Sequence, residues 1–461
     1  MDTFHSWISH LITAMVLVIT WRLLVPVAVR AALWFPVTAT LVRLGWRAVA
    51  DACGLADRRR RPVRRSELGE LLWGSDGRPR SGVQYRILAP GMRQLRPTRF
   101  GWTCVLRLRP GQTPDDVVRV ADRLAHSWAA HAVRVSPWGP GRVRLVVNRR
   151  DPLLRVAVPA QDGQLLRVRI GRLDTGRPWI LDFRVVPHWL IAGATQSGKS
   201  TLLNAVIVGL APQPVALVGF DLKGGMEFTP YAPRMSALAT TRGECVDVLR
   251  DLVSLLATRM GLCRAHGARD IWTLPADVER PVPIVVLVDE VAELFLMATR
   301  DEKAEISETA THMIRVAQLG RALGVHLVVA GQRIGSDLGP GVTALRSQLS
   351  GRVCHRVNDP ETASMTLGGL DPAALDAARA ISAAVPGVAV VASDSSGWNT
   401  ARAGQVTTAT AEATAGQWSD LAVPWEQLLP AVDLDLDLDL DPAWLAEGSV
   451  DPELATVADA P

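Results

Sequence analysis

A short apolar run that leads into a glycine-rich loop and then a helical segment limits most strongly how this chain can fold. The run Trp189 to Ala192 precedes the loop, and an apolar segment with helical character, Leu202 to Leu210, follows it. The loop consists of Gly193, Ala194, Thr195, Gln196, Ser197, Gly198, Lys199, Ser200 and Thr201. This is the complete G-x-x-x-x-G-K-[ST] pattern in the strand, loop and helix context that a phosphate-binding loop requires. The sequence therefore predicts a P-loop fold.

The spacing of the loop matches the chemistry of a nucleoside triphosphate. Gly193 and Gly198 permit backbone angles that point successive N–H groups inward at phosphates, and the start of the following helix adds partial positive charge. Lys199 is placed to reach the β- and γ-phosphates, and Ser200 to offer its hydroxyl to Mg²⁺. The chain has lysines only at 199, 223 and 303, so a lysine in this loop is informative. The predicted cofactors are ATP and Mg²⁺.

A second apolar run, Ile284 to Val288, ends in two acidic residues about ninety positions after the loop. Four or more apolar residues followed by two acids is the pattern of a Walker B strand. Asp289 is predicted to hold the Mg²⁺ shell, and Glu290 to orient and polarise the attacking water. The pattern alone is weak, because apolar strands often end in acids, but after a complete P-loop it is strong.

Further apolar runs alternate with helical segments. They are Val215 to Phe220, Val325 to Ala330 and Arg352 to Val357. Alternating strands and helices predict an α/β fold with a mostly parallel, doubly wound sheet that binds ligands at the carboxyl ends of its strands. Gln332 follows one of these strands and is the candidate sensor of the γ-phosphate.

The region before the P-loop is strongly basic. Residues 51–185 contain 27 Arg, no Lys and 12 Asp or Glu. An alternating segment, a helical segment and a hairpin pattern follow one another in it, at 103–109, 114–131 and 133–147. This order predicts a small α+β domain at 51–170. Its basic surface fits a phosphate backbone, a solvated face or anionic lipid headgroups equally well.

The first fifty residues form a separate apolar region. Two apolar runs, Trp7 to Trp21 and Ala31 to Val42, are separated by Arg22 and Arg30. Each approaches the roughly 20 residues of a spanning helix if an arginine snorkels to the interface. Residues 1–50 are therefore predicted to be a membrane anchor of one or two helices, and a pair of buried or interfacial amphipathic helices is the alternative. The basic segment at 58–65 predicts a cytoplasmic motor at the cell membrane, and a fragment starting near Ser66 is expected to be soluble and to keep its ATPase fold.

The other end of the chain is acidic. Residues 403–461 contain 12 Asp or Glu and neither Lys nor Arg, and include the repeat DLDLDLDLD at 433–441. This composition predicts a disordered tail after a motor domain at 171–402. The five scattered cysteines form no CxxC pair, so neither a disulfide framework nor a zinc site is expected.

The segments GATQSGKST, FDLKGGMEF, IVVLVDEVAEL and IRVAQLGRALGVHLVVAGQR resemble successive motifs of the FtsK/SpoIIIE DNA translocases, over about residues 170–395. The resemblance implies a RecA-like motor domain and a homo-oligomeric, hexameric ring around double-stranded DNA, with ATP between subunits. A single motor, a short anchor and a basic linker look most like actinomycete conjugative plasmid transfer proteins. Family members that read polar DNA sequences carry a winged-helix domain after the motor, whereas no basic residue follows Arg402 here.

These observations predict a membrane-anchored, ATP-dependent translocase of double-stranded DNA, for conjugative plasmid or chromosome transfer. A protein-export ATPase is the first alternative, because type VII secretion motors resemble this family, although they carry several tandem motors and this sequence has one P-loop. A non-motor P-loop switch or kinase is the second.

In assembled P-loop motors an arginine from the next subunit can stabilise charge on the transferring phosphate. Arg321, in the segment LGRALG, is the first candidate for that role, and Arg333 and Arg352 follow it. A plain charge at a helix end is the other interpretation of Arg321.

Overall fold

The computed structural model describes residues 27–61, 84–296, 302–332, 334–335, 341–368, 372–393 and 397–429. In this part of the chain a ten-stranded sheet is packed by helices on both faces. A four-stranded sheet with helices on one face precedes it, and a two-stranded ribbon accompanies the smaller sheet.

The smaller domain is an antiparallel sheet in the order β3-β4-β6-β5. The elements of this region are α1 (Val27–Ala52), β1 (Asp57–Arg61), β2 (Gln84–Leu88), β3 (Gly91–Pro97), β4 (Gly101–Arg107), α2 (Pro114–Val118), α3 (Ala121–Ser127), β5 (Ala132–Pro137) and β6 (Arg142–Asn148). Three tryptophans pack together in its core. The ring centroid of Trp128 lies 5.9 Å from that of Trp46 and 4.8 Å from that of Trp102. Alternate residues of β4, β5 and β6 face this core, as expected when one face of an antiparallel sheet is covered.

Helix α1 joins the region predicted as an anchor to the small domain. Its second half is buried against the sheet through Trp46 and Ala50, and the Trp46 indole donates to the Pro90 carbonyl at 2.7 Å. The predicted boundary at residue 50 therefore falls inside a helix whose last turns belong to the small-domain core. Within the described residues, no helix has an apolar stretch long enough to cross a bilayer. The apolar run from Trp7 to Trp21 lies outside the described residues.

The large sheet has the strand order β11-β10-β12-β13-β9-β14-β15-β16-β7-β8. Its strands are β7 (Arg167–Leu173), β8 (Pro178–Asp182), β9 (His188–Ala192), β10 (Ala216–Phe220), β11 (Ala237–Ala239), β12 (Ile284–Val288), β13 (Val325–Gly331), β14 (Gly351–His355), β15 (Val388–Ser393) and β16 (Gly397–Ala403). The six strands from β11 to β14 run parallel, and the other four are antiparallel. The predicted α/β class with a mostly parallel sheet is confirmed.

Helices cover both faces of this sheet, and its central strands are therefore buried at every position and almost entirely apolar. The helices are α4 (Lys199–Leu210), α5 (Arg242–Ala265), α6 (Val291–Phe295), α7 (Lys303–Leu323), α8 (Val342–Gln348), α9 (Pro360–Leu367), α10 (Pro372–Arg379), α11 (Thr408–Gln417) and α12 (Trp425–Leu428). Helices α5 and α7 pack on one face, while α4 and α11 pack on the other. The carboxyl ends of the parallel strands are thus left open at one edge.

The start of the predicted acidic tail is folded, which corrects the expectation of disorder from residue 403. Helix α11 buries Ala411 and Ala415 against one face of the large sheet. Trp425 of α12 enters the core on the other face, and its indole donates to Asp251 at 2.9 Å. Apolar residues among the acids were enough to fold this stretch onto the motor. Residues 430–461, including the aspartate repeat, lie outside the described residues.

The small domain contacts the antiparallel end of the large sheet. Arg134 of β5 lies 3.5 Å from Asp174 and stacks over the ring of Trp398 at 3.9 Å. The Asn148 amide donates to the Asp174 carbonyl, and burial raises the pKa of the Asp174 carboxyl above its usual value. The two sheets are therefore joined through polar, partly buried contacts.

Candidate active site

The phosphate-binding loop links β9 to α4, and its shape depends on two glycines. A side chain at Gly198, whose φ is 109°, would place its Cβ 2.3 Å from the Gly387 Cα. A Cβ at Gly193 would lie 2.4 Å from the Ser197 hydroxyl and 2.9 Å from the His355 Cβ. Only glycine fits at either position, so the backbone of the loop is held between β14 and the segment before β15.

The two predicted acids lie beside the P-loop lysine. Lys199 Nζ is 2.6 Å from the Asp289 carbonyl oxygen, 3.2 Å from Glu290 Oε2 and 3.6 Å from Asp289 Oδ1. All three side chains are buried. Buried charges are tolerated only when they are paired, so this cluster depends on all of its members. β12 and β9 lie on either side of β13 in the sheet, which brings their carboxyl ends together.

The site fits a magnesium nucleotide. Asp289 Oδ1 and the Ser197 hydroxyl are both buried with no hydrogen-bond partner among the described residues. The Ser200 hydroxyl donates to Glu227 at 2.9 Å, which leaves its oxygen lone pairs free for a cation. Ser200 and Asp289 are therefore the residues that would hold Mg²⁺, which neutralises developing charge on the phosphates when bound.

Gln332 joins the site at the end of β13. Its backbone N–H donates to Glu290 Oε1 at 3.0 Å, and its side-chain oxygen accepts from the Thr195 hydroxyl at 3.3 Å. The residue thus bridges the P-loop and the second acid. This is a suitable position for a group that responds to the terminal phosphate.

The loop at residues 221–228 forms a further wall of the site. No role was predicted for it from the sequence. Asp221 holds its shape by accepting from the backbone N–H groups of Lys223, Glu227 and Phe228 at 3.3, 2.8 and 3.0 Å. Lys223 Nζ lies 3.2 Å from Asp289 Oδ2 and 3.4 Å from Glu290 Oε2. Burial opposes the charge on Lys223, but the two carboxylates outweigh it and raise the pKa of its ammonium.

Two signals in the sequence pointed to this loop. It follows the apolar run that forms β10, and a parallel sheet places its ligand-binding residues just after such strands. It also carries one of only three lysines in a chain rich in arginine.

Two further residues, Arg356 and His355, back the P-loop from the end of β14. The Arg356 carbonyl accepts from the Ala194 N–H at 2.9 Å, and its guanidinium donates to the Thr195 carbonyl at 3.2 Å. His355 lies behind Gly193, and burial lowers the pKa of its imidazole to about 4. A neutral histidine there adds no charge beneath the phosphate cradle.

Arg321 lies away from this cluster. It is exposed near the end of α7, and β13 begins four residues later. The strand then runs seven residues, about 20 Å, before it reaches the edge where the P-loop lies. Arg321 therefore does not belong to the nucleotide site of its own subunit. Arg352 of β14 is half-buried and donates to the Arg346 carbonyl at 2.7 Å, and Arg333 lies outside the described residues.

Together the residues form a site suited to phosphoryl transfer to water. The P-loop backbone and Lys199 bind phosphate oxygens, while Ser200 and Asp289 face the metal position. Glu290 is held by hydrogen bonds at both oxygens and is available to orient a water.

Comparisons with known proteins agree with this geometry. Residues 17–149 match the actinomycete conjugal transfer protein N-terminal domain, and residues 158–276 and 270–336 match the FtsK/SpoIIIE family. The transfer protein TraSA of Streptomyces ambofaciens is 44% identical over 330 residues, which cover 69% of this chain and 79% of that protein.

A DNA translocase FtsK of Caldanaerobacter subterraneus is 32% identical over 260 residues, which cover 52% of this chain and 35% of that protein. A solved structure of the pCW3 conjugation coupling protein TcpA with ATPγS, 20% identical, has the same fold with a TM-score of 0.50. The match covers 68% of this chain and 89% of that one. The chain therefore belongs to the FtsK/SpoIIIE family, in which it is most like the actinomycete conjugal transfer proteins, and it is an ATPase.

Proposed function

We propose that this chain is a membrane-anchored motor that uses ATP hydrolysis to move double-stranded DNA, in conjugative transfer of plasmid or chromosomal DNA. The proposal rests on the presence of two regions in one chain. A region like the N-terminal domain of conjugal transfer proteins is joined to a motor whose Lys199, Asp289 and Glu290 form one buried cluster. TraSA, which is a transfer protein by name, is similar to this chain along most of its length.

The motor acts as a homo-oligomeric ring, and we take a hexamer as the working number. Arg321 is exposed near the end of α7, at the end of the sheet opposite its own P-loop, where a neighbouring subunit can reach it. A charge there can serve catalysis only at the site of a neighbouring subunit.

The membrane contact lies upstream of the small-domain core, with the motor on the cytoplasmic side of the cell membrane. Apolar residues dominate the sequence from Trp7 to Val29. Helix α1 also carries exposed apolar residues at Val37, Leu41 and Leu44, one stripe at helical spacing that does not face the small-domain core. Reporter fusions at residue 60 test the topology, and a periplasmic signal there would overturn it.

The direct test of the DNA proposal is the ATPase rate of the full-length protein with and without long linear duplex DNA. We expect strong stimulation by duplex DNA and little by heparin, which matches its charge but not its shape. The Lys199→Ala variant serves as the inactive control. An ATPase indifferent to duplex DNA, or one stimulated instead by an unfolded secretory polypeptide, would overturn the proposal in favour of protein export.

A further inference from the structure

One face of the small-domain sheet is lined with arginines. The helices α1, α2 and α3 pack on the other face, where Trp102, Leu106 and Leu145 are buried. The strand register places another set of cross-strand neighbours on the opposite face, part of which contacts the motor through Arg134 and Asn148. Five further arginines on this face, called the arginine face below, are Arg93, Arg96, Arg107, Arg142 and Arg144.

A β-bulge in β3 is what brings two of these arginines to the same face. Arg93 pairs with Val105 and Arg96 pairs with Thr103, so three steps along β3 match two along β4. Without the bulge, residues three apart would point to opposite faces of the sheet. The extra residue is accommodated at Gln94, which has a φ of 51°, a conformation rare for residues other than glycine. Local distortions of this kind often re-aim side chains at functional positions.

Arg134 lies on the same side of the sheet and pairs with Asp174 of the motor, whereas the five members of the arginine face have no acidic partner among the described residues. No Asp or Glu occurs at 84–114 or 123–150, and the acids between these stretches lie on the helical layer. Within the part of the chain that the structure describes, Arg93, Arg96, Arg107 and Arg142 are exposed and form no ion pair. Arg107 and Arg142 are direct cross-strand partners. Like charges at such positions repel one another, so an anion that binds both guanidinium groups relieves this repulsion.

The residues between the arginines are buried. Thr103, Val105 and Val146, which lie between the arginines, are each less than a tenth exposed. The Arg144 guanidinium stacks over the exposed ring of Trp138 at 5.0 Å. Cross-strand neighbours are about 4.8 Å apart, and residues two apart on a strand about 6.7 Å. Several guanidinium groups can therefore reach phosphates of one duplex, in which each strand carries one phosphate for every ~3.4 Å of helix axis.

The position of the face favours DNA over a lipid surface. The exposed apolar residues of α1, Val37 and Leu41, belong to the helical layer on the opposite side of the sheet. Arg134 and Asn148, on the same side of the sheet as the arginine face, instead reach Trp398 and Asp174 of the motor. The arginine face is thus continuous with the motor and turned away from the apolar stripe.

We propose that the arginine face is a sequence-independent binding site for the phosphate backbone of double-stranded DNA, which holds the duplex beside the motor. This inference rests on the proposed function, because it names a second contact for the same partner. Guanidinium groups suit phosphate oxygens, since their planar fork donates two parallel hydrogen bonds. The site contributes affinity and retention on DNA, while hydrolysis remains with the motor.

The test uses the full-length protein in detergent and a fluorescent linear duplex. We would compare wild type with Arg93→Gln/Arg96→Gln, with Arg107→Gln/Arg142→Gln and with the four changes combined. The combined variant should bind at least about tenfold more weakly near 100 mM salt. The slope of log affinity against log salt concentration should fall in magnitude by about 0.9 for each phosphate that the variant no longer neutralises. At saturating duplex its ATPase rate should match wild type, because the nucleotide site is untouched.

The matched control is Arg47→Gln/Arg123→Gln, which removes two exposed charges from the helical layer. The combined arginine-face variant could keep the wild-type affinity and salt dependence for duplex, with hydrolysis still stimulated by duplex. That result would overturn this inference and leave the proposed function standing. Normal duplex binding by that variant together with weakened binding to anionic vesicles would overturn it as well. Wild-type protein that binds duplex through this face without stimulated hydrolysis would instead contradict the proposed function.

Discussion

Both carboxylate oxygens of Glu290 are hydrogen-bonded. One accepts from the Gln332 backbone, and the other from Lys199 and Lys223 at 3.2 and 3.4 Å. Such a carboxylate has a fixed direction, which is what positioning a water requires. Asp289 differs, because one of its oxygens has no hydrogen-bond partner among the described residues. The two adjacent acids therefore have separate roles, one toward water and one toward the metal.

This division predicts different failures for two variants. Glu290→Gln keeps the size of the side chain and should keep ATP binding, while turnover falls by about 10²- to 10⁴-fold. Lys199→Ala should lose nucleotide affinity and hydrolysis together, because it removes a phosphate ligand. Equilibrium binding of a fluorescent ATP analogue and steady-state hydrolysis separate the two cases. Wild-type turnover in Glu290→Gln would show that another group orients the water.

A second residue prediction concerns Lys223, which we assign as a positioning residue for the two acids. Lys223→Met should lower kcat by about 10- to 100-fold, the usual effect of losing a group that orients catalytic ligands, with a smaller change in KM. Lys223→Arg should recover part of the loss, because it keeps the charge. Lys303→Met, which removes an exposed lysine at the start of α7, is the control. An unchanged kcat in Lys223→Met would remove the assignment.

Among the elements, the short helices after β16 were the least expected. Helix α11 and the Trp425 helix α12 lie on opposite faces of the large sheet. The connecting segment therefore passes from one face of the sheet to the other. These residues are part of the motor fold, although their composition is that of an acidic tail.

Truncation tests this arrangement. A chain ending at Leu429 should unfold at the same urea concentration as the full chain, and a chain ending at Ala403 should be strongly destabilised or insoluble. Within the full chain, Trp425→Ala should cost about 3 kcal/mol of unfolding free energy, since it removes a buried indole and its bond to Asp251. Equal urea midpoints for all of these chains would show that the segment contributes nothing to the fold.

The nucleotide site was largely predictable from sequence because its residues follow apolar runs in one chain direction. Parallel strands bring their carboxyl ends to one edge, so Lys199, Asp289 and Gln332 had to converge. The role of Lys223 needed the strand order as well, since only the neighbouring position of β10 and β12 brings it to Asp289. Strand order is set by long-range packing, which local patterns do not encode.

The boundaries of the domains were less predictable, for a different reason. The break at residue 50 followed from hydropathy, yet Trp46 and Ala50 pack into the small domain. Apolar residues look alike whether they face lipid or a protein core. The fragment expected to be soluble from Ser66 would lose these side chains, so a soluble fragment has to retain the second half of α1.

At the scale of the whole molecule, an arginine that acts on the neighbouring subunit predicts that two inactive variants restore activity when mixed. Arg321→Ala subunits should be inactive alone, as should Lys199→Ala subunits. Mixed rings should regain some hydrolysis, because an intact Lys199 site meets an intact Arg321 of the neighbouring subunit. Steady-state ATPase across a range of mixing ratios measures this. No recovery, with both variants present in the same complexes, would leave Arg321 as a helix-end surface charge.

The most direct measurement of the central claim is movement along DNA. A third strand annealed at a set distance on a linear duplex is displaced when a motor reaches it, and its release can be followed by fluorescence. We predict ATP-dependent displacement by the wild-type protein, with a lag that grows with distance, and none by Glu290→Gln. No displacement by wild-type protein whose ATPase is stimulated by the same duplex would contradict DNA translocation.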